Sequence, residues 1–132
     1  MKHEILCTID FSEASRKALK WSIELARQLQ THITILYTYR LNKHSEAAIP
    51  MKKKIEEEAR SNFSEIEKDL LAGTGIEYEF KAEVGFVADR VEEHAKKNNI
   101  SFLVMGKGTS VGSKEAFDEL LEHLQIPLII VP

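Results

Sequence analysis

The chain has 132 residues, 43% of them hydrophobic and 30% charged, with a formal charge of −3. That size and balance predict one globular domain over residues 1–132, with a core that needs no covalent staples. The mild charge argues against an electrostatic nucleic-acid binder, the single cysteine forbids an intramolecular disulfide and suits a reducing cytoplasm, and no apolar run approaches a membrane span.

Apolar runs and helical patterns alternate from end to end. Residues 4–9, EILCTI, are a short continuous apolar run, which predicts a strand buried on both faces. The chain then turns polar, too soon for the apolar region of a signal peptide. Ser12 is placed to cap a helix in which Ala14, Ala18, Trp21, Leu25 and Leu29 recur at three- and four-residue spacing. Residues 32–39, HITILYTY, predict a second strand rich in β-branched and aromatic side chains. The polar stretch 40–49 reads either as a mobile lid or as a plain connection. Pro50 suits the first turn of the next helix. Met51, Ile55, Ala59, Phe63, Ile66 and Leu70 draw its apolar stripe, and Gly73 supplies the stop.

The third strand differs in kind. Ile76, Tyr78, Phe80, Ala82 and Val84 alternate with Glu77, Glu79, Lys81 and Glu83, and strict period two means that one face is wet or only partly covered. In a parallel sheet covered by helices on both sides, such a strand belongs at an edge. A helix over about 86–97 follows, then the apolar strand SFLVMG at 101–106. Phe117, Leu120, Leu121 and Leu124 mark a last short helix, and PLIIVP at 127–132 closes the chain.

Five strands alternating with four helices predict an α/β fold: a Rossmann-like, five-stranded parallel sheet with helices on both faces. Of two plausible strand orders, 2-1-3-4-5 would bury the charges of strand three, whereas 3-2-1-4-5 places them at an edge. The predicted order is 3-2-1-4-5. Ligands in open α/β sheets bind beyond the carboxyl ends of the strands where the order reverses. Here that point lies between strands one and four, so Asp10 and the run into Gly106 meet in one crevice.

These segments resemble the universal stress protein family over the whole chain. ILCTIDFSEASRKALKWSIELA resembles its opening strand, aspartate-containing turn and first helix, and THITILYTY its second strand. EVGFVADRVEEHAKKNNISFLVMG resembles its third helix and fourth strand, and QIPLIIVP its closing strand. The resemblance implies the family's fold, a homodimer and a stress-response or regulatory role. The family holds members that bind ATP and members that do not. ATP binders carry Gly-x-x-Gly, nine residues, then Gly followed by Ser or Thr, after strand four. Carried over, the nucleotide positions are Asp10, Thr38, Met105, Gly106, Gly108, Gly112 and Ser113. The loop departs from that pattern: Gly106 and Gly108 are one residue too close, and only Thr109, Ser110 and Val111 stand where the family has nine.

On its own physics, the loop suits an anion. Glycines bring backbone amides close to a charge, a helix N-terminus adds free N–H groups and a favourable dipole, and Lys107 and Lys114 stand beside Ser113. The same residues also read as a strand end at Gly106, a tight turn through Gly108 and Gly112, and a helix cap at Ser113. The segment is not a Walker A loop, whose lysine follows its second glycine. Its length suits one or two phosphates, so the expected ligand is a small anion or an adenine nucleotide such as AMP; the alternative is ATP held by a variant phosphate loop. Asp10 reads as a ribose or metal contact, or as the closing residue of an Asx-turn.

Nothing in the chain assigns a catalytic residue: there is no nucleophile elbow, no triad and no pair of carboxylates on one strand end. A phospho-accepting receiver domain would need clustered acids after strand one and a lysine after strand five, where this chain has Asp10 alone and ends in Pro132. The five histidines lack metal-ligand spacing and read as scattered surface residues, so no metal is expected. Cys7 reads as a small core residue. The uncharged closing strand is the second edge, which predicts a homodimer through Leu128, Ile129, Ile130 and Val131. Two function classes follow: a nucleotide-responsive stress protein, or a ligand-free dimeric module acting through partner proteins of unknown identity. Neither engages nucleic acid or membrane.

Overall fold

In the computed structural model, residues 4–42, 44–108 and 114–132 are described. The run from Glu4 to Ile9 forms β1, and every side chain from Ile5 onward in it is buried. β2 (Ile33–Tyr39) and β4 (Ile100–Gly106) flank it in parallel, β3 (Tyr78–Val84) lies outside β2, and β5 (Leu128–Val131) lies outside β4. The order β3-β2-β1-β4-β5 is the one predicted. Its cause is also the predicted one: β3 has no fully buried residue, so its charges sit where water reaches them.

Four helices cover the sheet: α1 (Glu13–Leu29), α2 (Ala48–Ile66), α3 (Val87–Lys97) and α4 (Lys114–His123). Side-chain alternation divides the core between the two faces. Ile5, Cys7 and Ile9 of β1 meet Leu19, Ile23 and Ala26 of α1 and Phe63 and Ile66 of α2 on one face. Leu6, Leu36 and Leu103 meet Val91 of α3 and Leu120 of α4 on the other. Ser12 caps α1 as predicted, its hydroxyl accepting from the Ser15 N–H at 3.2 Å. Pro50 lies in the first turn of α2, which runs on through a π turn at Glu67–Leu71. Gly73 ends it in the left-handed region at φ 79°, a conformation that costs other residues a Cβ clash.

Two apolar stripes differ from prediction. In α1 the buried residues are Ser15, Ala18, Leu19, Ser22, Ile23 and Ala26, whereas Trp21 is 63% and Leu29 47% exposed. The reason is that two serines serve as core residues. The Ser15 hydroxyl donates to the Ser12 carbonyl and that of Ser22 to the Ala18 carbonyl, which satisfies both hydroxyls inside the helix. In α2 only Ala59, Phe63 and Ile66 are buried, because the first turns carry Ile49 and Met51 into solvent. The histidines need a correction as well. His94 is buried, with Nε2 2.9 Å from Glu83 Oε1, so a carboxylate on β3 accounts for its place under α3. His3 lies outside the described residues.

Candidate functional site

Register brings the predicted site residues to one end of the sheet. Cys7 lies opposite Val104, so three residues further on Asp10 and Lys107 leave the sheet side by side. Ile9 lies opposite Tyr37, which sets Thr38 next to Asp10 on the other side. Met105 is buried within the α3/α4-side core, so what it offers a ligand is main chain. β4 is anchored at its exit: the Lys107 N–H donates to the Val131 carbonyl at 2.8 Å. Gly108 takes φ 84° with open space where a Cβ would stand, so the turn, not crowding, calls for glycine. Residues 109–113, including Gly112 and Ser113, lie outside the described residues.

At the β1 end, Asp10 organises the start of α1. Its Oδ1 accepts from the Ser12 N–H at 3.0 Å and from the Ser12 hydroxyl, which is an Asx-turn. The Asp10 N–H donates to Ser15 Oγ at 3.3 Å. Between them Phe11 adopts φ 62°, uncommon for an aromatic residue. Its ring packs 4.9 Å from Tyr37 and 6.5 Å from Phe80. Aromatic packing thus holds a strained turn between the end of β1 and the start of α1.

A neighbouring feature escaped the sequence reading. Beyond the ends of β2 and β3 lies a cleft of about 580 Å³, lined by Arg40, Leu41, Asn42, Gly85, Phe86 and Arg90 among others. The Arg40 guanidinium sits 4.4 Å above the Phe86 ring. The connection after β2 is therefore pinned at its first residue. The available signal was an arginine directly after one strand and an aromatic two residues after the next.

The titratable groups nearby are structural. Burial pushes the Cys7 thiol up to about 12, which keeps it protonated and unreactive. The Tyr39 hydroxyl donates to Glu56. Burial, then that carboxylate, raises Tyr39, and the same bond holds Glu56 below its ordinary value. Among the described residues no three His, Cys, Asp or Glu side chains converge as metal ligands, and no helix is long and apolar enough to cross a membrane.

Comparison with known proteins places this geometry in context. A model of the universal stress protein family matches residues 1–132. Among solved structures, universal stress protein UspA from Lactobacillus plantarum aligns with a TM-score of 0.79 at 17% identity, over 98% of this chain and 97% of its own. The universal stress protein from Archaeoglobus fulgidus in complex with dAMP aligns at 0.67 and 16%, over 100% and 98%. An AMP-bound family protein from Arabidopsis thaliana aligns at 0.63 and 14%, over 98% and 90%. A comparison with curated protein sequences finds no match.

Proposed function

This chain belongs to the universal stress protein family, and we propose that it is a cytoplasmic, homodimeric regulatory member. In this reading it binds an adenine nucleotide with a single phosphate in the crevice formed by Asp10, Thr38, Met105, Gly106, Lys107, Gly108, Gly112 and Ser113. One observation carries the reading: β4 ends at Gly106 and α4 begins at Lys114, so the connection is only residues 107–113. A loop that short suits one or two phosphates rather than the longer triphosphate chain for which the family has a nine-residue spacer. The AMP- and dAMP-bound structures with this fold support the ligand class.

The dimer is read from β5, an outer strand without a charge, which pairs with its own image about a two-fold axis. Calorimetric titration tests the ligand. AMP should bind more tightly than ATP, and Asp10→Ala should weaken AMP binding at least about 10-fold, the scale of one lost charge-assisted bond. Tight binding of magnesium ATP would overturn the assignment. A second reading rests on the engagement of Asp10 Oδ1 by Ser12: the aspartate is a turn residue and the dimer acts through partner proteins without a ligand. Native mass spectrometry separates the two, because the first expects a dimer that retains added AMP and the second a bare dimer.

A further inference from the structure

The cleft beyond β2 and β3 has walls that the sheet itself sets. Tyr39 lies opposite Val84, and the Gly85 N–H donates to the Tyr39 carbonyl at 2.9 Å. Arg40 and Gly85 therefore leave the sheet side by side, and the cleft of about 580 Å³ opens between the segments that follow them. It shares no residue with the crevice of Asp10 and Gly106. It also sits one strand further out, because β2 separates β3 from β1.

Its polar side chains are chiefly donors. Arg40 is exposed and rests on the Phe86 ring at 4.4 Å. Among the described residues no carboxylate pairs with it. A ring face attracts a guanidinium but leaves the N–H groups along its edge without acceptors. Arg90 lies along Gly85, where a Cβ would stand 3.3 Å from its Nε and 3.5 Å from Cδ and Cγ. One amino group of Arg90 reaches Glu93 at 2.6 Å, while its Nε is buried with no hydrogen-bond partner. A buried donor without an acceptor is uncommon enough to need a reason. Asn42 spends its side-chain oxygen on the His44 N–H at 3.1 Å, so its amide nitrogen is what it can offer. α3 starts at Val87 with no side-chain cap, which adds its first amides. Against these donors the lining sets one carboxylate, Asp89.

We propose that this cleft binds a small organic anion, a carboxylate or phosphate monoester on an apolar body, independently of the nucleotide crevice. Arg40 and Asn42 hold the anionic head from the β2 side, where a guanidinium edge can make paired, charge-assisted bonds. Arg90 meets the same head from α3 by turning off Gly85, a side-chain motion that gives its Nε an acceptor. The apolar body lies against Leu41 and Phe86, which is 52% exposed. The volume falls in the range of small-molecule sites and exceeds what a bare ion would fill.

Amide NMR titration with phenyl phosphate, benzoate, inorganic phosphate and phenol tests this. Phenyl phosphate or benzoate should shift Asn42, Gly85 and Phe86 saturably by about 10 mM, and the tighter of the two identifies the head group. Phenol lacks the charge and inorganic phosphate lacks the body, so each should bind at least about 10-fold more weakly. Arg40→Gln should weaken binding about 10-fold or more, with the thermal midpoint unchanged because the side chain is exposed. Asp89→Asn should tighten binding about 3-fold by removing the opposing charge. Unshifted Gly85 with all four probes overturns the inference, as does phenol binding as well as phenyl phosphate. Shifts confined to Lys107 and Gly108 overturn it too, and leave the nucleotide reading standing.

Discussion

The two edges of the sheet are both outer strands in parallel pairing, with opposite chemistry. β3 presents Glu79, Lys81 and Glu83 in alternation with Tyr78, Phe80, Ala82 and Val84. It settles both sets of side chains within its own chain. Phe80 stacks on Phe63 of α2 at 4.2 Å, and the Tyr78 hydroxyl donates to Glu67 at 2.5 Å. Glu83 meets His94 of α3, and Lys81 lies 3.8 Å from Glu79. β5 has no charge to settle and leaves Ile130 half in water. The contrast sets a charged edge that is settled within its own chain against an apolar edge, the one that the proposed dimer would use.

The most damaging way to break that contrast is to remove what holds β3. Phe63 is 4% exposed and packs on both Tyr78 and Phe80. Phe63→Ala should lower stability by about 3–5 kcal/mol, read as a shifted urea midpoint. A loss below about 1 kcal/mol would show that α2 does not secure this edge. Next in size is the β5 edge. Ile130→Asp places a carboxylate against its own image, so the dissociation constant should rise ~100-fold or more. Monomer folding should change little, because the side chain is already 47% exposed. Sedimentation against concentration reads the first and thermal denaturation the second; an unweakened dimer would move the interface elsewhere.

The strands were legible in the sequence because their signal is local. Continuous apolar runs marked β1 and β4, strict alternation marked β3, and the charges on that alternation selected the strand order. The α1 stripe misled because burial there depends on hydroxyls bonded within the helix: Ser15 and Ser22 look polar in sequence and are 0% exposed, while Trp21 looks like core and faces outward. His94 was missed for a similar reason, since its partner Glu83 is eleven residues away on another element. At the site, sequence placed Asp10, Thr38 and Gly106 at one end of the sheet, and register brings them there. It did not reveal the Arg40–Phe86 stack, because the two residues meet only through the β2–β3 pairing.

A smaller change sharpens the β3 side of the comparison. Tyr39, at the end of β2, ties the middle of α2 to the sheet through Glu56. Tyr39→Phe should cost about 1 kcal/mol at pH 7, no more, because the Glu56 side chain is 34% exposed. The bond holds Glu56 below its ordinary 4.5, so folding disfavours its proton. That stabilisation is present above the unfolded value and is lost as pH falls through the lower folded one. Wild type and variant should therefore converge in stability in acid below 4.5, which chemical denaturation at stepped pH would read. A constant difference across that range would mean that the tyrosine contributes packing alone.

The smallest change in folding stability gives the most direct test of edge chemistry. Glu79 is 63% and Lys81 34% exposed at the side chain, and they sit 3.8 Å apart on the outer strand. An exposed pair of this kind contributes little, so Glu79→Thr with Lys81→Thr should alter stability by no more than about 0.5 kcal/mol. Threonine keeps the strand conformation, so the edge stays formed while its charges go. If those charges keep β3 single, the variant should gain a second self-pairing edge while β5 keeps its own. Each molecule would then have two sticky sides, and closed dimers would give way to open chains. Light scattering should show a mass that climbs with concentration past the dimer, and Ile130→Asp added to the same variant should stop the climb at the size of a β3-paired dimer. A neutralised edge that still gives one species of unchanged mass would show that β3 is kept single by the shape of its surroundings and not by its charge.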